Sequence, residues 1–398
     1  MMKLLPLLFL PLFLYAATLQ ELIEHTKNSH LSLEAIKHKL STFEEEYALS
    51  RNFANPELSL SIGDIQTQDI TNRSLEPMQY TALNFKQKIP YFGKRDALSN
   101  KIEAQKNQIT IHLENAKVKL IEAIKYTAYA IYDKEEKLKI LHEYIELTQR
   151  NIELFSAYNL SDASSHMSLM NAELTLSQLK IKKSRLKSLR DAFYTSISYL
   201  SNMRVSTLEL DIDVKEPMKL EHYINLVGAN KNYLEKEAAL HVAHTDVKVQ
   251  ELSSAIDPVV SVGYFYREKY KDYLSVGVGF SLPMYGSEAL RQEESRKIVL
   301  EKSTQANDTK NRITAEIEAM YKKLHSAYEI YTILQDESLP QLEHMKDLSA
   351  SALKSGGNLF VYIQMLEKKL ALDEQRIDAI TEYYKDITKL EALIGEIK

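Results

Sequence analysis

The side chains able to do chemistry are few and scattered. His241-x-x-His244 sets two imidazoles one helical turn apart, a spacing that can grip a metal ion. No third ligand stands near the pair in sequence, so it reads as a solvated helix face. His166, Met167 and Met170 form a second group, and His344 with Met345 a third. Imidazole and thioether together suit soft metals, although methionines at helical spacing more commonly pack. The chain has no Cys, which removes disulfides, thiolate metal sites and cysteine nucleophiles. No Gly-rich phosphate loop, no nucleophile beside a base and no paired carboxylates in a recognisable setting occur. The chain therefore reads as no enzyme, with no cofactor and no resident metal.

The elements that carry these residues are long. Only 10 Gly and 9 Pro punctuate 398 residues, and Lys, Glu, Leu, Ile and Ala dominate, as in extended helices. The net charge of -5 is built from interspersed signs, which gives nucleic acid no basic surface. Residues 1–17 have the form of a signal peptide: Lys3, an apolar core from Leu4 to Leu14, then Tyr15-Ala16-Ala17. Leu14 or Tyr15 at the -3 position fits a cleavage site poorly, so an uncleaved anchor is the alternative. No later segment approaches a transmembrane helix.

One short pattern occurs twice. Ile89-Pro90-Tyr91-Phe92-Gly93-Lys94 is echoed by Leu282-Pro283-Met284-Tyr285-Gly286-Ser287. Each copy ends an alternating, strand-like run and opens a long run poor in Pro and Gly. Proline cannot donate to a sheet ladder and glycine turns where other residues cannot, so Pro90, Gly93, Pro283 and Gly286 mark strand-to-helix junctions. An internal two-fold repeat follows. Repeat 1 (18–202) holds a helix, a β-hairpin over about 56–89 and a helical hairpin over 94–202. Residues 203–217 are an irregular, acidic linker. Repeat 2 (218–398) holds a helix, a β-hairpin over about 258–283 and a helical hairpin over 287–397. Asn55-Pro56 and Asp257-Pro258 open the two β-hairpins.

Within the helical hairpins the apolar spacing is that of coiled coils. Ile124, Ile131, Leu138, Ile145 and Ile152 recur every seventh residue, and Ile313, Ile317, Met320, Leu324, Ala327, Tyr331 and Leu334 step by four and three. A helix from Lys94 to about Phe155 would be roughly 90 Å long. The hairpin turns fall at Ser161, Asp162 and Ser164 and at Ser355, Gly356, Gly357 and Asn358. Pro340 lies inside the second long helix, has no counterpart in the first, and should kink it.

The strands are about ten residues each, the length a tilted strand needs to cross an outer membrane. Leu274, Val276, Val278, Phe280 and Leu282 alternate with Ser275, Gly277, Gly279 and Ser281, which suits lipid on one face and a lumen on the other. Tyr264, Phe265, Tyr266, Tyr270 and Tyr273 near one strand end, and Tyr80, Tyr91, Phe92 and Tyr285 near the others, suit headgroup girdles. Four strands cannot close a barrel, and an open edge in lipid leaves N–H and C=O groups unsatisfied. Several copies must share one barrel; three would give twelve strands and a real passage.

With Asn55-Pro56-Glu57-Leu58, the two Pro-x-x-Gly junctions, the Ser355-Gly356-Gly357 turn and the repeat, the chain resembles the TolC family of outer-membrane efflux ducts over its whole mature length. The Pro-Tyr-Phe-Gly-Lys form and the short chain look closer to the heavy-metal branch than to the drug-efflux branch. The resemblance implies a mostly α fold with a small membrane β part: a long coiled-coil α-barrel continued by a transmembrane β-barrel, completed by a homotrimer. It implies a passive duct of a tripartite efflux or type I secretion system, exporting small toxic solutes or metal ions. The partners implied are a periplasmic adaptor, an inner-membrane pump and outer-membrane lipid. It places the hairpin turns at the periplasmic entrance, where adaptors dock. Family members ring that entrance with aspartates; the matching positions here are Tyr362 and Met365, so an aromatic, steric entrance through Tyr362 is expected instead. A periplasmic adaptor, or a structural coiled-coil protein of the envelope, is the alternative. An adaptor would carry one hairpin within Gly-rich flanks, and a structural coiled coil would not need four membrane-length strands.

Overall fold

The computed structural model of the chain describes residues 17–156, 163–354 and 359–396. Residues 1–16 of the expected signal lie outside it. Ala17 is already structured: with Thr18 it forms β1, which pairs in parallel with β4 (Leu208–Glu209). The described chain divides into two compact units. One comprises residues up to 34, 114–231 and 310–398; the other comprises 35–113 and 232–309.

Apart from the β1–β4 pair, the first unit is helical. Thr18 caps α1 (Leu19–Ser29) through a capping box with Glu21, which satisfies the Thr18 and Glu21 N–H groups at the helix start. The one helix expected at the start of repeat 1 is instead two, α1 and α2 (Leu31–Arg51), the latter running mostly in the other unit; they are interrupted at His30, whose ψ of 124° is extended. The His30 ring takes up the break, lying 2.7 Å from Ser32 Oγ and edge-on to Tyr199. The long helices follow: α3 (Lys94–Ser156), which begins in the other unit, and α4 (Ala163–Ser201). Ile124 and Ile131 of the seven-residue seam are fully buried against Leu22, Ile23, Ile197 and Val205. Val205 belongs to the stretch expected to be an irregular linker. Val205, Leu208 and Leu210 pack against this core.

The remaining helices of this unit are short α5 (Leu220–Asn225), the end of α7 (Ser287–Ile333), α8 (Leu339–Lys354) and α9 (Leu359–Ile394). Ile313, Ile317, Leu324, Ala327 and Leu334 of the second seam are buried. Lower on the hairpins, Leu141, Tyr144, Ile145, Leu179, Leu366 and Leu370 form a second core from α3, α4 and α9. Among the described residues no helix is long and apolar enough to cross a membrane.

The other unit carries α6 (Lys231–Ser253) and one four-stranded antiparallel sheet in the order β2-β3-β5-β6. The strands are β2 (Glu57–Gly63), β3 (Tyr80–Lys88), β5 (Val259–Tyr266) and β6 (Tyr273–Gly279). They are shorter than the ten residues expected. β6 stops at Gly279 rather than Leu282 because its only partner, β5, begins at Val259, opposite Gly279. Register aligns Leu58 with Phe85, Phe85 with Val262 and Val262 with Val276 on one face. That face is apolar and exposed from edge to edge; Leu60 and Val276 are each 71% accessible. The opposite face carries Ser59, Asn84, Gly263 and Ser275 in one row.

Candidate functional site

The two junctions form the best-defined constellation. In the first, β3 ends at Lys88, and Ile89 N–H donates to Pro258 O at 2.8 Å as the last rung of the ladder. Pro90 can supply no further donor. Gly93 then adopts φ +89°, and α3 starts at the next residue, with Ala97 N–H donating back to Gly93 O at 2.9 Å. The second junction repeats this backbone. Gly286 has φ +73°, α7 starts at Ser287, and Leu290 N–H donates to Gly286 O at 3.2 Å.

The first junction also has a clamp. Asp257 Oδ1 accepts from Tyr91 N–H at 2.8 Å and from Lys94 Nζ at 2.8 Å, and Lys94 also donates to Ala255 O at 2.6 Å. Lys88 lies 3.4 Å from the other Asp257 oxygen. Burial pushes the Asp257 carboxyl up, but the Lys94, Tyr91 and Lys88 donors outweigh it and hold the group below the usual aspartate range. In sequence, Lys94 is only the end of a motif and Asp257 only the residue before a proline. The signal for the clamp was the coincidence of opposite charges at two matched positions of the repeat.

The tip residues divide differently. Ser161, Asp162, Ser355, Gly356, Gly357 and Asn358 lie outside the described residues, as does the side chain of Ser164. Tyr362 is described, and it does not face an opening within the chain. It is 6% accessible, in the core with Tyr144, Ile363 and Leu366. The reason is helical spacing: Tyr362, Leu366 and Leu370 sit at i, i+4 and i+8, on the α9 stripe that packs inward. Phe360 and Val361 are the exposed apolar side chains of that turn.

Above the tips, polar links tie the helices of this unit. Tyr144 Oη on α3 donates to Asp373 on α9 at 3.1 Å, and Lys369 bridges Asp373 at 2.9 Å and Glu343 on α8 at 3.4 Å. Thr175 on α4 donates to Glu367 at 3.0 Å. Burial and the Asp373 charge raise the Tyr144 hydroxyl far above the usual tyrosine value, so it stays a donor. Pro340 stands two residues into α8, directly after a π-helical turn at Leu334–Ser338, where Leu339 N–H donates to Leu334 O. The proline ring would clash with the carbonyl four residues back, and the wider turn displaces that group.

The aromatic cluster of the β5–β6 hairpin splits between faces. Tyr264 and Tyr266 share the exposed apolar face with Leu83 and Leu274. Phe265 points the other way, stacked on Tyr273 at 4.6 Å and edge-on to Tyr80 at 5.0 Å. Strand alternation dictates this, so only the first pair fits a headgroup girdle. Tyr80 in turn lies against Gly63, where a Cβ would meet the ring at 2.2 Å.

His241 and His244 are exposed on α6, and His166, Met167 and Met170 on α4. Among the described residues no group of three or more His, Asp or Glu side chains is arranged to hold a metal ion.

Solved structures share this architecture. CusC, whose crystal structures concern conformational changes accompanying folding and transmembrane channel formation, matches with a TM-score of 0.79 over 96% of this chain and 93% of its own, at 12% identity. The outer-membrane protein VceC of Vibrio cholerae matches at 0.77 over 95% and 96%, with 14% identity. The open state of the Neisseria gonorrhoeae MtrE outer-membrane channel matches at 0.76 over 96% and 89%, with 12% identity. No protein-family model and no curated protein matches the chain. The fold is that of the TolC-type outer-membrane channels.

Proposed function

We propose that the chain is one third of a passive outer-membrane duct, a homotrimer that conducts solutes out of the periplasm and catalyses no reaction. The observation that carries this is the sheet: one face apolar and exposed across all four strands, and two unpaired edges, β2 and β6. Exposed apolar surface of that extent needs lipid or a partner. Open edges in lipid need a further strand. Three copies give twelve strands and a closed barrel wide enough for a passage, whereas two give eight, filled by their own side chains. The likeness to outer-membrane channels agrees with this reading.

In this reading residues 1–17 are the export signal, and 18–202 and 218–398 are duplicated halves joined by 203–217. Each half supplies one β-hairpin to the membrane barrel and one helical hairpin to a periplasmic barrel. The helical tips, at Ser161, Asp162, Ser164 and Ser355 to Asn358, form the entrance and meet a periplasmic adaptor. An inner-membrane pump supplies the energy, in a tripartite efflux or type I secretion system. Metal ions or small toxic solutes are the cargo. The Pro-Tyr-Phe-Gly-Lys junction favours the metal branch.

Membrane fractionation followed by gel electrophoresis with and without boiling tests the duct. A band of trimer mass in the outer-membrane fraction, collapsing to monomer on boiling, is expected. A soluble monomer overturns the reading.

A further inference from the structure

We infer that, in the assembled barrel, β6 of one copy pairs with β2 of the next in one register, with Gly279 opposite Ser59 and Val278 opposite Leu60. The inference rests on the trimeric-duct reading and adds the seam between copies.

The seam is derived from the one inside the chain. There the strand that ends at a Pro-x-x-Gly junction, β3, lies against the strand that follows an acidic Asp-Pro, β5. Lys88 faces Val259, Ile89 donates to Pro258, and Asp257 receives Tyr91 N–H and Lys94. The sheet edges carry the same two parts unjoined. β6 runs toward the second junction, with the same positive-φ glycine at Gly286 and the same helix start. β2 follows Asn55-Pro56 at the other edge. Carrying the β3–β5 pairing onto this second set gives Ser281 opposite Glu57, Phe280 opposite Leu58, Gly279 opposite Ser59, Val278 opposite Leu60, Gly277 opposite Ser61 and Val276 opposite Ile62. The strands are antiparallel, as closure requires.

Two features that did not enter the derivation agree with it. Every pair joins residues of the same face, apolar against apolar on one side and Ser or Gly against Ser or Glu57 on the other, and a slip of one residue would place each lipid-facing side chain against a lumen-facing one. A slip of two would keep the faces but remove Pro56 from Leu282. The early end of β6 is also explained. β5 runs out opposite Gly279, while β2 of the next copy reaches Ser281, so the ladder lengthens on assembly. The clamp changes chemistry across the seam. Where Asp257 and Lys94 pair as ions within the chain, Asn55 and Ser287 would meet as neutral partners between copies.

Cysteine pairs test the register, since the chain has no native Cys. Within one chain β2 and β6 are opposite edges with two strands between them, beyond disulfide reach, so any bond links two copies. Gly279 tolerates the change, because a Cβ there meets nothing within 4 Å. On oxidation, S59C/G279C should give covalent dimers and trimers on a boiled, non-reducing gel. The slipped pairs S61C/G279C and E57C/G279C should give several-fold less, because diagonal neighbours stand about 7–8 Å apart. S61C/G277C is a second matched pair. The heat-modifiable band under reducing conditions shows that each variant assembles. A trimer that cross-links through a slipped pair, or through neither matched pair, overturns the register while leaving the duct standing. A soluble monomer overturns both.

Discussion

At the scale of single residues, the junction clamp and the buried aromatic make opposite claims about what a polar side chain is for. Asp257 gathers an ammonium and a backbone N–H at 2.8 Å each, so Asp257→Asn should destabilise the assembled protein by about 1.5–3 kcal/mol, the usual worth of a hydrogen bond to a charged group. Its carboxyl is held below the usual range, so its contribution is complete above the unfolded aspartate pKa of about 4 and fades as pH falls through the lower folded value. Thermal unfolding of both forms at pH 7 and near pH 3 checks this; an equal gap at both pH values would contradict it. Asp386 runs the other way. Burial, helped by Glu382 and opposed by Lys323 and Lys385, pushes its carboxyl up to about 6. Its folded value lies above its unfolded one, so stability is full below about pH 4 and declines as pH rises to about 6. Asp386→Asn should therefore raise the melting temperature at pH 7.5 and leave it nearly unchanged at pH 4. Tyr362 sits in the core, so Tyr362→Ala should cost about 3–5 kcal/mol through a cavity, while Tyr362→Phe keeps the single-channel conductance. A conductance change in the Phe variant at unaltered stability would return the hydroxyl to the passage.

At the scale of elements, Pro340 and the π turn before it set α8 apart from the helices around it. A five-residue π-helical turn is a local widening that sequence rules tie to strain or function. We propose that it is where the second helical hairpin bends when the entrance opens. Pro340→Ala lets an ordinary helix run through, so the tips should open less and pump-dependent resistance should drop several-fold. Resistance and conductance both unchanged would sink the hinge. The elements also show what the sequence disclosed. The seven-residue seam from Ile124 and the four-and-three stepping from Ile313 exposed the long helices, because core contact repeats with the helix period. The strands were legible from alternation, and the junctions from Pro and Gly. The His30 break was not, because it depends on a ring contact to Tyr199, more than a hundred residues away in sequence. The packing of the stretch around Val205 is not legible because one of its partners, Ile121, is distant in the chain, and the acidic residues between its apolar ones give it the look of a linker. The burial of Tyr362 follows from its own i, i+4, i+8 stripe with Leu366 and Leu370, which its distance from the turn does not reveal.

At the scale of the whole molecule, the sheet's two faces should respond to the same charge in different ways. Leu60 and Ser61 are neighbours on β2, but strand alternation sends Leu60 to the exposed apolar face and Ser61 to the face shared with Ala82 and Phe265. In a barrel the first meets hydrocarbon and the second the lumen. An arginine on the lipid face near the membrane midplane costs about 2–4 kcal/mol, whereas a lumen position sees water. Each change occurs once per copy, and in the proposed trimer three copies share one barrel, so the cost at Leu60 would act three times on a single assembly. Leu60→Arg should therefore sharply reduce the heat-modifiable trimer recovered from the outer-membrane fraction. Ser61→Arg should leave its yield near that of the unaltered protein and lower single-channel conductance instead, by adding three cations to one ring of the passage. If the two variants lose trimer equally, the faces are not lipid and lumen, and the sheet belongs on a soluble core. If Leu60→Arg assembles normally while Ser61→Arg does not, the faces are reversed.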